Sequence, residues 1–440
     1  MKTWTRREMM AASALGAATL AARQGQAATG PDDKEKSATP APASESIVLG
    51  FIGVGGMGSG LLNIFKRFPQ VRVAAVCDVY EPHARRAQSA AGGKPEVYHD
   101  FRKVLDRQDI DAVVIATPDH WHAIPTILAC QAGKDVYCEK PLTHRIVEGR
   151  AVVKAAQKHK RVTQMGNLIH AGENYHRVVE IVRSGVLGQI TKTRVWMAAD
   201  RRGLGKPADC DPPPGCDYDF WLGPAPQRAF NPNRFTFNWR WFWDYGGGLL
   251  TDFCCHIVDP IHWAMEVEAP RTITASGGHF ALVDNGETPD TLEVVYEYEK
   301  NGQNFLLVWS HTDANTHGLE NMGMGIMFQG TEGTLVANYD THKIIPARGK
   351  GKTIDEPPKT LPRSVGHHRE WLNAIKTRAQ CSCNFAYGHR LASVGHLGNI
   401  ALLTGEKLKW DGAAERFLNH PEANRLLTKE YRKPWTLPEV

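Results

Sequence analysis

The chain has 440 residues, enough for two domains of ordinary size with real cores. Hydrophobic residues make up 42% and charged residues 22%, as in soluble globular proteins, and a net charge of +5 over this length makes no clustered basic face for nucleic acid. The nine cysteines form neither a disulfide framework nor a paired C-x-x-C zinc pattern; they read as buried free thiols, and no metal is expected.

Thr5-Arg6-Arg7-Glu8 precedes an apolar stretch from Met9 to Ala22, and Gly25-Gln26-Ala27 offers small residues for cleavage. This is the layout of a secretory signal over residues 1–28. The arginine pair resembles the twin-arginine type, which implies export of a folded bacterial protein to the periplasm. Residues 29–46 are a polar linker with too little apolar surface to pack. No later run of eighteen apolar residues occurs, so no stable membrane span is expected.

From residue 47 to 165 the pattern alternates strand and helix. Ile47 to Ile52 is an apolar run that ends in Gly53-Val54-Gly55-Gly56-Met57-Gly58, and Leu61, Leu62, Ile64 and Phe65 follow at helical spacing. A glycine loop between a strand and a helix is a dinucleotide signature. Gly53 permits the turn, Gly55 lets backbone approach a pyrophosphate, and Gly58 lets the helix pack on the strand. The helix start then offers N–H groups and a positive dipole end to the phosphates. A second strand, Val71 to Cys77, ends in Asp78, twenty residues beyond Gly58. An acid there accepts bonds from ribose hydroxyls and repels a 2′-phosphate, which favours NAD over NADP. Further strands are Ala112 to Ala116, leading into Thr117-Pro118-Asp119-His120-Trp121-His122; Asp135 to Cys138, leading into Glu139-Lys140-Pro141; and Arg161 to Met165. A helix is predicted over Ile146 to His159. The expected architecture is α/β: a Rossmann-type, doubly wound parallel sheet, with ligands beyond the carboxyl ends of the strands.

Residues 166–440 read as an α+β domain with a mostly antiparallel open sheet and C-terminal helices packing back. An amphipathic helix is predicted near Glu173 to Ser184, with strands over Thr291 to Tyr298, Asn304 to Ser310, and a hairpin of Met324 to Gln329 with Thr334 to Asn338. His367 to Gly405 is expected to be helical. Gly246-Gly247-Gly248 opens another helix, on which Asp252 and His256 share a face by their spacing of four, and Asp259 is expected to join them. An acid beside an imidazole orients it and raises its basicity. Trp221, Trp239, Trp241 and Trp243 lie within 23 residues of each other, interleaved with Arg240, Asp244 and Tyr245. Flat rings with polar neighbours suit a sugar, although at least two of these rings are expected in the core.

Taken in order, Gly53-x-Gly55-x-x-Gly58, Asp78, Thr117-Pro118-x-x-x-His122, Glu139-Lys140-Pro141 and Gly246-Gly247-Gly248 through Asp252 and His256 resemble the glucose-fructose oxidoreductase / inositol dehydrogenase (Gfo/Idh/MocA) family. The resemblance implies hydride transfer between a nicotinamide ring and a hydroxyl-bearing carbon of a sugar or cyclitol. Lys140, Asp252 and His256 would form the catalytic group. His256 would take the hydroxyl proton with a pKa near working pH, and Lys140 would stabilise the developing alkoxide. Gly53, Gly55, Gly56, Met57, Gly58, Asp78, Thr117, Pro118, His122, Glu139 and Lys140 would line the cofactor, with Gln164 and Asn167 on its nicotinamide side. Substrate would meet Lys140, His170, Trp239, Arg240, Trp241, Asp252 and His256; Tyr175, Arg201 and Arg202 are further candidates. The family also implies a homo-oligomer built through the open sheet face. Phe253-Cys254-Cys255 departs from the small residues common before the histidine; the cysteine beside His256 reads first as a packed thiol, and as a reactive one only if its pKa is lowered. Export implies a cofactor that is retained and regenerated in place. That points to one of two reactions: oxidation of one sugar coupled to reduction of another acceptor, or a redox-neutral NAD-dependent glycosidase; a third reading, a non-catalytic sugar-binding or scaffold protein, is disfavoured by the intact Lys140 and His256 pair.

Overall fold

The structure, a computed structural model, describes residues 46–348 and 353–440. The predicted signal segment and the linker through residue 45 lie outside the described residues. Six short strands build the first sheet: β1 (Ile47–Ile52), β2 (Val71–Cys77), β3 (Glu96–Tyr98), β4 (Ala112–Ile115), β5 (Asp135–Cys138) and β6 (Thr163–Met165). Their order is β3-β2-β1-β4-β5-β6, and all pairs are parallel. β1, β4 and β5 are buried along their whole length because helices cover both faces. The order reverses at β1 and β4, which opens a crevice above Gly53 and Thr117.

The second sheet has nine strands: β7 (Ile190–Ala198), β8 (Thr272–Gly278), β9 (Thr291–Lys300), β10 (Gln303–Thr312), β11 (Met324–Gly330), β12 (Gly333–Ala337), β13 (His342–Pro346), β14 (Leu408–Asp411) and β15 (Arg416–Phe417). The order is β13-β12-β11-β7-β10-β9-β8-β14-β15. Every neighbouring pair is antiparallel except β10 with β7. On β9, Leu292, Val294, Tyr296 and Tyr298 point inward, while Glu293 and Glu299 face out. Two helices pack on the inner face, Gly248–Ile257 and Phe385–Thr404. The Tyr296 hydroxyl donates to the Val394 carbonyl at 2.9 Å, joining sheet to helix. The helix His367–Thr377 crosses back to the first domain, where Trp371 meets Phe65 and Tyr137 edge-on at 5.4 and 5.6 Å.

A long connection, residues 199–245, returns to the first domain and lies beside the end of β2. Cys216 and Tyr80 form an isolated antiparallel bridge. The Glu81 N–H donates to the Gly215 carbonyl at 2.8 Å, the Asp217 N–H donates to Val79 at 2.9 Å, and Asp217 meets the His99 ring at 2.8 Å. This strap walls a cavity of about 450 Å³ beside Asp78, Glu81, Tyr98 and His99. Among the described residues, no helix is long and apolar enough to cross a membrane.

Candidate active site

Gly53 sits at φ +78°, and a Cβ there would lie 2.7 Å from the Thr117 nitrogen. A Cβ on Gly58 would lie 1.9 Å from the Gly53 carbonyl oxygen, so the helix Gly56–Phe65 touches the loop backbone to backbone. That helix has Gly55 at its start, no side-chain cap and no acid in its first turn, so its leading N–H groups are left for an anion. Asp78 fastens the loop: its carboxylate accepts from Val54 and Tyr80 N–H groups, both at 2.9 Å. Thr117 Oγ1 and Gln164 Oε1 are buried without a hydrogen-bond partner among the described residues. An uncapped glycine cradle, an acid at the end of β2 and two orphaned oxygens fit a dinucleotide.

Lys140 follows β5, and its bond to Pro141 is cis. Its Nζ donates to the Asp252 carbonyl oxygen and to Asp252 Oδ1, both at 2.7 Å, with both side chains buried. One of three ammonium protons is left for a substrate oxygen. Arg240 Nε reaches the same Oδ1 at 3.3 Å. Burial alone would raise the Asp252 pKa, but Lys140 and Arg240 hold it below the usual carboxylate range. Glu139 behaves otherwise: burial pushes it up to about 7 against the pull of Lys140. It fits against Gly166, where a Cβ would meet Oε1 at 2.5 Å.

Asp252 and His256 share the helix Gly248–Ile257, as their spacing predicts, but Asp252 does not hold the imidazole. His256 Nδ1 meets Asn167 Oδ1 at 2.7 Å instead. Nor does Asp259 share their face. The helix ends at Ile257, and a separate helix, Asp259–Met265, begins with Pro260 in its first turn. Asp259, 0% exposed, is turned toward Asn167 Nδ2 at 3.0 Å, His170 Nδ1 at 2.9 Å and the Tyr387 hydroxyl. The His256 pKa is not near working pH. Burial, then the Lys140 charge, pull it down to about 3.

Other predicted residues are placed as follows. His122 has both ring nitrogens at 2.8 Å from backbone carbonyls, those of Pro141 and Thr117, so it braces the two loops. Gln164 Nε2 bonds His367, which leaves Oε1 as its unpartnered atom among the described residues. Trp239 and Trp241 are 8% and 3% exposed; Arg240 stacks on the first and Arg201 on the second. Arg201 is buried between Asp284 and Asp313, Arg202 is exposed at the surface, and the Tyr175 hydroxyl donates to the His256 carbonyl at 2.9 Å. Cys254 and Cys255 are fully buried, and burial raises both thiols, Cys255 to about 12, so neither is a reactive thiolate. Sequence reasoning missed Tyr339, whose ring lies 6.4 Å from that of His256, and Tyr387. Neither carries a motif; both arrive from distant elements. Among the described residues, no three His, Cys, Asp or Glu are grouped to hold a metal ion.

A glycine-loop crevice with a buried lysine and a histidine at the far ends of the parallel strands defines a nicotinamide-dependent enzyme class. The chain belongs to the Gfo/Idh/MocA oxidoreductase family: residues 47–167 match its "NAD-binding Rossmann fold" and residues 176–437 its "C-terminal alpha/beta domain". The first domain is therefore an NAD-binding domain. Glycosyl hydrolase family 109 protein 2 of Shewanella sp. (strain ANA-3) is 30% identical over 199 residues, 43% of this chain and 44% of the relative. An alpha-N-acetylgalactosaminidase of Shewanella oneidensis is 31% identical over 158 residues, 34% of each. The matches thus span less than half the length of these curated relatives. The fold is that of the WlbA dehydrogenase from Bordetella pertussis, solved with NADH and UDP-GlcNAcA (TM-score 0.63, 18% identity, 83% of this chain and 99% of that one). It is also that of levoglucosan dehydrogenase, solved with NADH (TM-score 0.59, 19% identity, the same coverage).

Proposed function

We propose that this protein is an NAD-dependent oxidoreductase acting at a hydroxyl-bearing carbon of a sugar, glycoside or cyclitol, with its cofactor retained between turnovers. The observation that carries this reading is the pair of uncommitted atoms at one site: the third Lys140 proton and His256 Nε2, which has no hydrogen-bond partner among the described residues. Bound NAD supplies the hydride acceptor. His256 Nε2 takes the hydroxyl proton as the carbon loses hydride. Lys140 holds the oxygen as it gains negative charge, and Asp252 with Arg240 fixes that ammonium in place. An imidazole whose protonated form is this acidic is a weak base, so the lysine charge does most to make the proton transfer favourable.

The same value sets a pH dependence. A base must be unprotonated, so its activity falls as pH drops through its pKa. With His256 at about 3, kcat/KM is expected to stay within a few-fold from pH 7 to pH 5. A histidine at the ordinary value of about 6.5 would lose roughly 30-fold by pH 5. A steep fall below pH 7 with the same inflection in the His256-dependent step would contradict this.

The names of the curated relatives favour a second reading, a redox-neutral glycosidase. There, transient oxidation of a ring carbon acidifies the neighbouring C–H, the aglycone leaves by elimination, water adds, and hydride returns. The twin-arginine-type N-terminus supports export to the periplasm, where a retained cofactor is required in either case. The open face of the nine-stranded sheet supports a second copy as its partner. One experiment tests both reactions: purify the protein without added NAD, record the nicotinamide absorbance, then supply 4-nitrophenyl glycosides and free sugars. Nitrophenol release with no net NADH selects the glycosidase. NADH formed from free sugars without release selects the oxidoreductase. Absence of bound nicotinamide overturns cofactor retention.

A further inference from the structure

Asn167 and Asp259 together determine which nitrogen of His256 is free. Asp259 is completely buried at the start of its helix, with Asn167 Nδ2, His170 Nδ1 and the Tyr387 hydroxyl all directed at its carboxylate. An amide nitrogen only donates and a carboxylate only accepts. The Asn167 amide is thereby held with Nδ2 toward Asp259; turned over, it would set its carbonyl against the carboxylate oxygens. Oδ1 then faces His256 Nδ1 at 2.7 Å, and as an acceptor it requires a proton on that nitrogen.

We infer that Asn167 and Asp259 are positioning residues that lock His256 in its Nδ1–H tautomer and so present the Nε2 lone pair to substrate. Free in water, neutral histidine favours the opposite tautomer, which would put a proton where the base needs a lone pair. The amide does this without adding charge. A carboxylate in direct contact would raise the basicity of the ring, whereas here the charge of Asp259 stands one residue back and is shared among three donors. The other groups facing His256 are Lys140 after β5, Asp252 on its own helix, Tyr339 from the turn between β12 and β13, and His367 at the start of the helix His367–Thr377. This inference rests on His256 as the base, but its test needs no substrate.

The test is 15N NMR of the full-length protein with NAD bound and histidines labelled, with His256→Gln assigning the signal. In the wild type at pH 7, His256 is expected as the neutral Nδ1–H form. Asn167→Leu, close in volume but without the acceptor, is expected to shift it toward Nε2–H. Exchanging the two residues (Asn167→Asp with Asp259→Asn) restores the Nδ1–H form and places a carboxylate against the ring. His256 should then titrate above pH 5, where the wild type stays neutral. An Nε2–H wild type, an unshifted tautomer in Asn167→Leu, or no change in titration in the exchange variant overturns the inference. Should the variants not fold, the wild-type spectrum alone decides. Turnover surviving in His256→Gln would instead sink the proposed base, whatever the tautomer.

Discussion

Lys140→Met is expected to lower kcat by about 10²- to 10³-fold while NAD stays bound, because one charged donor is removed from the oxygen that becomes an alkoxide. The substitution keeps the stem and removes only the charge. It also strips Asp252 of its closest partner. Breaking a buried ion pair costs about 3–5 kcal/mol when one charge is left alone. Arg240 Nε remains 3.3 Å from the same oxygen, so the loss falls toward the lower end. Adding Asp252→Asn removes the stranded charge, and Lys140→Met/Asp252→Asn is expected to regain much of the melting temperature without regaining turnover. Thermal melts, nicotinamide fluorescence and single-turnover hydride transfer separate the three quantities. Loss of NAD from Lys140→Met alone would show that the lysine serves the cofactor rather than the reaction.

Gly58→Ala is expected to abolish cofactor retention and to destabilise the first domain. The added methyl would stand 1.9 Å from the Gly53 carbonyl oxygen, a backbone atom with no rotamer to change. Either the helix lifts from β1 or the loop opens, and both move the N–H groups that receive the pyrophosphate. Overpacking of this kind costs about 1–3 kcal/mol. Gly60→Ala, two residues on in the same helix with nothing within 4 Å of its Cβ, is the control. It is expected to stabilise the helix by about 1 kcal/mol and to leave NAD in place. Equal cofactor content in Gly58→Ala and Gly60→Ala would refute the close-approach account.

The first sheet was legible because its signals are local: an apolar run, a glycine loop and a helical period lie within twenty residues of β1. β9 was legible by strict alternation. β7 was not. Its Trp196 faces away from the inner core yet is buried, donating from its ring nitrogen to the Met322 carbonyl at 2.8 Å. With both faces covered the strand loses its period of two. At the site, Lys140, Asp252 and His256 stood out through motifs, but which of them bond to one another did not. The spacing of Asp252 and His256 fixes a shared helical face, not a shared bond. The residue that meets the imidazole comes from 89 positions earlier, at the end of β6. The tryptophan group divided as aromatic clusters do: Trp239 and Trp241 went inward, and Arg240 between them reached the site through its charge.

The strap of Gly215 to Asp217 has a bearing on the order in which the protein is made. The space beside Asp78 has two walls: one is complete once residue 99 has been synthesised, and the other arrives more than a hundred residues later. The main-chain bonds at Val79, Tyr80 and Glu81 cannot close until then. A Rossmann unit emerging from the ribosome would therefore lack one wall of the space beside Asp78 until the strap has been made.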